Sequence, residues 1–133
     1  MFNKFFGHNQ KWYEDCKKLI DGTIAIQDFI KQNATVTLYY STPFGEDANG
    51  RQQIWVLSNR ENEIQHFPAF SSKKKCADFL LAMGRKDFMI IKGDLISLLD
   101  SLNAHPLLQK FGVVIDPNSD LSVAIDPQIR AIH

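Results

Sequence analysis

Apolar residues recur along the chain with two different periods, which separate predicted helices from predicted strands. From Asn9 to Ile20 the apolar spacing is three or four residues, which is typical of an amphipathic helix. A second short helix is predicted from Thr23 to Gln32, with Thr23 as its N-cap. The segment from Thr35 to Ser41 alternates instead and is rich in β-branched and aromatic residues. We therefore predict a half-buried strand there.

The middle of the chain is predicted to hold a β-hairpin and a third strand. Turn-forming residues are dense from Thr42 to Gln52, and the strand pattern resumes from Gln53 to Leu57, so we expect this strand to pair with the preceding one. A third strand is predicted from Ile64 to Phe70. Pro68 has no N–H to donate to a ladder, so this strand should end there or lie at an edge of the sheet.

Two helices with a buried apolar stripe are predicted in the second half of the chain. Ser71 or Ser72 is the predicted N-cap of the first helix, which ends at Gly84. A short strand from Asp87 to Ile91 follows, and Asp94 then opens the second helix. Both stripes have the spacing i, i+3, i+4 and i+7. Their members are Cys76, Phe79, Leu80 and Met83 in the first helix, and Leu95, Leu98, Leu99 and Leu102 in the second.

The C-terminal region is predicted to contain two short strands and the beginning of a helix. Gly112 to Ile115 and Leu121 to Ile125 have the apolar character of strands, and a compact turn joins them. Asp126 is the predicted N-cap of the last helix, because Pro127 is suited to the first helical position. A final short helix is therefore expected to follow the last strand.

The order of these elements indicates an α+β fold. Early strands joined by turns and later alternation of strands with helices are typical of a mixed, mostly antiparallel sheet with helices packed on it. We expect about five to six strands in this sheet. We also expect a single domain over residues 1–133, in which residues 1–20 form an N-terminal helical extension.

The net charge and the length of the apolar runs argue against two classes of partner, nucleic acids and membranes. The 133 residues include 15 basic and 15 acidic side chains, so the formal net charge is zero. Proteins that neutralise nucleic acid phosphates usually have a basic excess, so we expect no nucleic acid partner. No apolar run approaches the roughly 20 residues of a membrane-spanning helix, and the N-terminus has no secretion-signal pattern. We therefore expect no membrane partner and a cytoplasmic location.

Candidate catalytic and metal-binding residues do not form a recognised motif. Both cysteines lie on apolar stripes of predicted helices, so we expect buried, reduced and unreactive thiols. The four histidines share no metal-ligand spacing, and no serine lies in a nucleophile elbow. Asp116, Asn118 and Asp120 match the first ligands of a calcium loop, but Leu121 and Pro127 replace the required glycine and glutamate. We interpret the segment as an Asx-rich turn and expect no enzyme activity, cofactor or metal.

Two groups of side chains are candidates for contact with another protein. The first is an aromatic cluster near the N-terminus, which either needs a partner or folds back onto the sheet. The second is a run of three lysines at a predicted helix N-terminus, which either holds an acidic group of a partner or forms a solvated polar face. The candidate partner-binding residues are Phe2, Phe5, Phe6, Trp12, Lys73, Lys74 and Lys75.

Three stretches of the chain resemble parts of one known family. They run from His66 to Ser72, from Gly93 to Leu102, and from Val114 to Pro117 with the following Leu121 to Ile129. Together with the order of the segments, they resemble the N-terminal domain of the SseB family, the enhanced serine sensitivity proteins. Asp116 is a departure, because asparagine is expected there. The resemblance implies a bacterial, cytoplasmic binding module with no cofactor and no catalytic residues to carry over.

These observations favour a non-enzymatic bacterial protein-interaction module with an immunity or secretion-associated accessory role. Its partner would be another protein, such as a toxin or effector, or a second copy of the chain in a homodimer. The alternative is a small-molecule sensor or an uncharacterised enzyme with a pocket between sheet and helices. Tyr39, Trp55 and His66 have polar tips suited to lining such a pocket.

Overall fold

A computed structural model shows two helices followed by a run of strands, and helices and strands alternate only in the second half of the chain. It describes residues 2–46, 49–58, 63–85 and 87–130; the side chains of residues 2–9, 52, 53 and 130 lie outside this description. The helices in these ranges are α1 (Phe2–Ile20), α2 (Ile26–Gln32), α3 (Lys73–Ala82), α4 (Leu95–Ala104) and α5 (Pro127–Arg130). The strands are β1 (Thr37–Tyr40), β2 (Phe44–Glu46), β3 (Gln52–Ile54), β4 (Leu57–Ser58), β5 (Gln65–Ala69), β6 (Ile91–Asp94), β7 (Gly112–Ile115) and β8 (Val123–Ile125). The predicted α+β fold is confirmed.

The main sheet is mixed and has the strand order β4-β5-β7-β8. Strands β5 and β7 are parallel, and the other two pairs are antiparallel. Strand β1 pairs with β6, and a single antiparallel bridge between Tyr39 and Phe70 connects β1 to the end of β5. Both backbone hydrogen bonds of this bridge are 2.8 Å long. The bridge therefore brings the β1–β6 pair beside the main sheet.

The predicted hairpin between the first strand and the segment from Gln53 to Leu57 is wrong. Strand β1 pairs with the distant β6, while the turn-rich segment contains β2, which forms its own hairpin with β3. The alternation of side chains identifies a strand but carries no information about its partner. Strand β6 also begins at Ile91 and not at Asp87, because Phe88 and Ile90 pack against a small cluster around α3.

Pro68 does not end its strand, and that part of the prediction is wrong. It lies inside β5, where its register partner on the parallel side is Val114 of β7. On the opposite edge, β4 pairs only as far as His66, and β1 reaches β5 only at Phe70. Continuing that bridge would place Ser41 opposite Pro68, which has no N–H to donate. Pro68 therefore lies at a position where no described strand pairs with this edge of β5.

The predicted helices α3 and α4 are confirmed, with side-chain caps at their first turns. Ser72 accepts a hydrogen bond from the backbone N–H of Lys75 at 3.1 Å, and Asp94 accepts one from Ser97 at 2.9 Å. Gly84 follows α3 with a φ of +87°, a conformation that suits glycine. The predicted cap of α2 is wrong, because α2 begins at Ile26 after Ala25, which makes no side-chain cap.

Helix α1 extends beyond the segment with helical apolar spacing, within the predicted helical extension of residues 1–20, and belongs to the main hydrophobic core. It begins at Phe2 and not at Asn9, and its inward residues Trp12 and Cys16 are buried. They join the four buried leucines of α4 and the inward residues of β7 and β8 in one cluster. Each such side chain contributes about 1.5–3 kcal/mol relative to exposure. Within the described ranges, no helix has both the length and the apolar character needed to cross a membrane.

Candidate functional site

A cleft of about 360 Å³ opens between the second half of α1, strand β1 and the beginning of α3. Its walls come from segments far apart in the chain, because the β1–β6 pairing and the packing of α1 bring them together. The residues that give the cleft its chemistry are Trp12, Tyr13, Tyr39, Lys73, Lys75 and Lys92. Aromatic rings and lysines thus line one cavity.

The aromatic side of the cleft consists of one anchored residue and one exposed residue. Trp12 is only 5% exposed, and its ring packs against Phe29 of α2 with 5.3 Å between the ring centroids. Tyr13 is the next residue of α1 and is 43% exposed. Since successive helical residues point about 100° apart, one ring lies in the core while the other reaches the rim. The cleft therefore has a fixed apolar wall and a rim with an accessible phenol ring.

The buried carboxylate of Asp15 holds helix α1 against the end of α2. Asp15 accepts hydrogen bonds from Lys11 Nζ at 2.8 Å and from Asn33 Nδ2 at 3.1 Å, and the same amide donates to the backbone oxygen of Phe29. Burial alone would raise the pKa of Asp15, but these hydrogen bonds and the charge of Lys11 together hold it below its ordinary value. This network fixes the turn of α1 that carries Trp12.

The cationic side of the cleft comes from α3 and β6. Lys73 and Lys75 belong to the first turn of α3, which contains no acidic residue to offset the positive end of the helix dipole. Lys92 lies opposite Tyr39 in the register of β1 and β6, which brings it to the same cleft. Three lysines and a helix N-terminus therefore favour a negatively charged ligand here.

A buried carboxylate adjoins the lysines and connects β7 to α3. Asp116 is 5% exposed and accepts hydrogen bonds from Ser71 N at 2.9 Å and Ser71 Oγ at 2.6 Å. Lys75 Nζ lies 3.7 Å from Asp116 Oδ2, the oxygen that accepts from Ser71 Oγ, and 3.4 Å from Ser71 Oγ itself. Because Lys75 is partly neutralised by Asp116, Lys73 and Lys92 carry most of the unbalanced charge of the cleft. The carboxylate positions α3 and leaves its positive end directed at the cleft.

The segment considered as a calcium loop is a turn built around Asp116. Both oxygens of this carboxylate are engaged by Ser71 and Lys75, while Asn118 and Asp120 are exposed. Ser119 Oγ donates to the backbone oxygen of Asp116 at 2.7 Å, as in other turns closed by a serine. Among the residues that the structure describes, no three His, Cys, Asp or Glu side chains are grouped to hold a metal ion.

The structure brings together only part of the predicted partner-binding set. Trp12, Lys73 and Lys75 line the cleft, whereas Lys74 points away and pairs with Asp78 at 2.8 Å on the exposed face of α3. The predicted residues whose side chains fall outside the described part are Phe2, Phe5 and Phe6. Tyr13 belongs to the aromatic cluster near the N-terminus and also lines the cleft, whereas the sequence analysis did not identify Tyr39 or Lys92 as partner-binding. Only the pairing of β1 with β6 could have revealed Lys92, and the sequence does not specify that pairing.

The three residues proposed for the alternative pocket lie in different places. Tyr39 lines the cleft, and Trp55 lines a second, much smaller cavity. His66 is buried, and its Nε2 atom lies 3.0 Å from Asp126 Oδ1, so it connects β5 to the residue before α5. This interaction is structural. His66 is buried because residues on both faces of the strand are covered.

Neither cysteine is available for nucleophilic chemistry. Cys16 and Cys76 are both fully buried free thiols. Burial raises the pKa of Cys16 to about 12 and that of Cys76 to about 11, so both remain protonated at neutral pH. The prediction of buried thiols is confirmed.

The chain matches no protein-family model, no curated protein and no solved structure. The resemblance to the SseB family therefore stays a prediction from short sequence strings.

Proposed function

We propose that this protein is a non-enzymatic protein-interaction module that holds an acidic segment of another protein in the cleft between α1, β1 and α3. The observation that carries this proposal is the convergence of Lys73, Lys75 and Lys92 on a cleft with an aromatic wall. The resemblance to SseB proteins supports the same class of function. In that setting the partner is a bacterial toxin or effector, and the protein serves as an immunity or accessory protein in the cytoplasm.

The composition of the cleft fits an acidic peptide. Exposed ion pairs contribute only about 0.2–1 kcal/mol each, so three lysines alone give weak binding. Aromatic side chains add contact area at a low cost in side-chain entropy, and Tyr13 and Tyr39 supply it beside the lysines. An acidic segment with a neighbouring apolar or aromatic residue would use both parts of the cleft. Long-range attraction between opposite charges would also accelerate its association.

The chemistry of the cleft supports binding more than catalysis. Apart from the lysines and tyrosines, the titratable group next to it is Asp116, whose oxygens are engaged by Ser71 and Lys75. General base or nucleophilic catalysis requires a group within hydrogen-bond reach of the substrate and free to exchange a proton. Asp116 does not meet this condition, because it is buried and serves to position α3.

The experiment that tests this proposal is selection of peptides from a random library displayed on phage, with the immobilised full chain as the target. The proposal predicts enrichment of peptides with two or more acidic residues next to an apolar or aromatic residue. The selected peptides are then measured against a triple variant, Lys73→Ala, Lys75→Ala and Lys92→Ala, which should bind them at least about tenfold more weakly.

A second triple variant controls for the loss of charge. Lys17→Ala, Lys31→Ala and Lys74→Ala remove three exposed lysines outside the cleft, so the net charge changes by the same amount. The control should bind the selected peptides like the unmodified protein. Equal weakening in both variants, enrichment of peptides without acidic residues, or no enrichment at all would contradict the proposal.

A further inference from the structure

A buried arginine, Arg85, lies near the bridge between β1 and β5, in a cavity that Phe70 also lines. Arg85 is only 4% exposed, and its Nη1 atom donates to the backbone oxygen of Thr42 at 3.0 Å. Its guanidinium stacks over the ring of Trp55 at 5.3 Å from the ring centroid. Among the described residues, no carboxylate forms an ion pair with it. A buried charge without a counter-charge is rare in proteins, because its desolvation is not compensated.

Two further hydrogen-bond donors near Arg85 have no partner among the residues that the structure describes. They are the indole Nε1 of Trp55 and the hydroxyl of Ser41, and both atoms are buried. Ser41, Trp55 and Arg85 line the same cavity of about 10 Å³. Unpaired buried donors each cost about 1–3 kcal/mol, so several of them around one cavity indicate a missing acceptor.

The backbone of Gly45 lies close to two of these nitrogen donors, Arg85 Nη2 and Trp55 Nε1. A Cβ atom built on Gly45 would lie 2.7 Å from Arg85 Nη2 and 3.0 Å from Trp55 Nε1. Glycine at this position in β2 therefore leaves room for both N–H groups to approach the strand. Two N–H donors, from Arg85 and Trp55, therefore lie close together beside β2, and Arg85 carries a positive charge.

The cavity exists because Pro68 interrupts the strand pairing. The bridge between Tyr39 and Phe70 does not continue to Ser41, since Pro68 cannot donate. Both Ser41 and Pro68 line the cavity. The titratable group that acts on Arg85 is Cys76, and its thiol is neutral at pH 7 because burial raises its pKa to about 11. Cys76 therefore supplies no counter-charge.

From this geometry we propose that Arg85, Trp55 and Ser41 form a binding site for one small monovalent anion of the size of chloride. A monatomic anion accepts hydrogen bonds from all sides and balances the charge of Arg85, whereas a water molecule brings two donors of its own and no charge. The cavity volume of about 10 Å³ favours a monatomic ion over the larger phosphate, sulfate and carboxylate ions. This site is separate from the cleft, and its occupation fixes the β2–β3 hairpin to the segment after α3.

The first test measures thermal unfolding of the full chain in sodium chloride and in sodium gluconate at equal ionic strength. Gluconate is too large for the cavity, so only chloride should raise the unfolding midpoint. Once chloride exceeds its dissociation constant, the rise should be roughly 5 °C for each tenfold increase in concentration. Identical midpoints in the two salts at every concentration would overturn the proposal.

Two conservative variants and one direct measurement locate the site. Trp55→Phe removes the indole N–H but keeps a ring beneath Arg85, and Ser41→Ala removes only the hydroxyl. Both variants should lose most of the chloride-specific rise in midpoint, and an undiminished rise in both would overturn the assignment. Crystals grown with bromide should show an anomalous peak between Arg85, Trp55 and Ser41. Bromide only at other positions would overturn it independently of whether the variants fold.

Discussion

The cleft and the small cavity are both positively charged, yet they differ in how their cations are buried. Lys73 and Lys75 are exposed and keep much of their hydration, and Lys75 already has Asp116 beside it. Arg85 is almost completely buried, and its partners among the described residues are a backbone carbonyl and an aromatic ring. The same sign of charge therefore favours different ligands: the large cleft suits a reversibly bound acidic segment, and the small cavity suits one small anion.

The largest expected effect is the difference in stability between a variant of Trp12, in the wall of the cleft, and a variant of Tyr13, at its rim. Trp12→Ala removes a ring from the main core, so it should lower the free energy of unfolding by about 3–5 kcal/mol. Tyr13→Ala removes a partly exposed ring next to it and should cost less than about 1 kcal/mol. Urea unfolding of the two variants measures the difference. Equal losses would show that Trp12 does not belong to the core, contrary to its 5% exposure.

The second prediction changes the charge of the cleft without touching a lysine. Asp116→Asn tolerates the backbone φ of +52° but weakens the hydrogen bonds to Ser71, which should cost about 1–3 kcal/mol of stability. Because the variant removes the one carboxylate beside Lys75, acidic peptides selected on the unmodified protein should bind it more tightly. Calorimetric titration checks this, and weaker binding would contradict the electrostatic account of the cleft.

The third prediction concerns the buried charge of Asp15. The pKa of Asp15 is lowered in the folded chain, so its carboxylate stabilises the fold above its unfolded pKa of about 3.9, and this stability is lost as the pH falls through its folded pKa. Asp15→Asn should therefore lower stability at pH 7 by about 1 kcal/mol and flatten the decline in acid. Thermal unfolding from pH 7 to pH 2.5 tests this.

In the absence of chloride, removing the charge of Arg85 should not lower the stability of the fold, whereas removing the charge of Asp15 should. Arg85→Met keeps much of the volume but removes an uncompensated charge, so in gluconate it should be at least as stable as the unmodified protein. Adding chloride should reverse the order, because only the protein with Arg85 gains from the anion. If Arg85→Met is destabilised equally in both salts, its role is packing alone.

The smallest effect is expected at Lys74. Its ion pair with Asp78 is exposed on the outer face of α3, so Lys74→Ala should leave the unfolding midpoint and peptide binding unchanged within error. This variant serves as the matched control for Lys73. A clear loss of binding would show that the binding surface extends beyond the cleft.

Local elements were predictable from the sequence because their signals are local. The leucine spacing from Leu95 to Leu102 and the capping residues Ser72 and Asp94 each specify a helix within one or two turns. Pairing between distant segments was not predictable: β1 pairs with β6 across about fifty residues, and no local feature of Tyr39 or Lys92 indicates this.

The candidate sites depend on such distant contacts. The lysine run was recognisable as unusual, but its division into Lys73 and Lys75 on the cleft and Lys74 outside it required the orientation of α3. The cavity at Arg85 was not suggested at all, because an isolated arginine, tryptophan and serine have no common spacing. Pro68 was the one local signal near it, and its significance appears only with the interrupted pairing of β1 and β5.

The most direct test of the central claim compares two neighbouring lysines of α3. Isothermal titration with one acidic peptide from the phage selection is carried out on the unmodified protein, Lys73→Ala and Lys74→Ala at low and at moderate salt. Both variants lose one exposed charge, but only Lys73 lines the cleft. We expect roughly two- to fivefold weaker binding for Lys73→Ala and no change for Lys74→Ala. Equal affinities for the two variants would contradict the assignment of the cleft as the binding site.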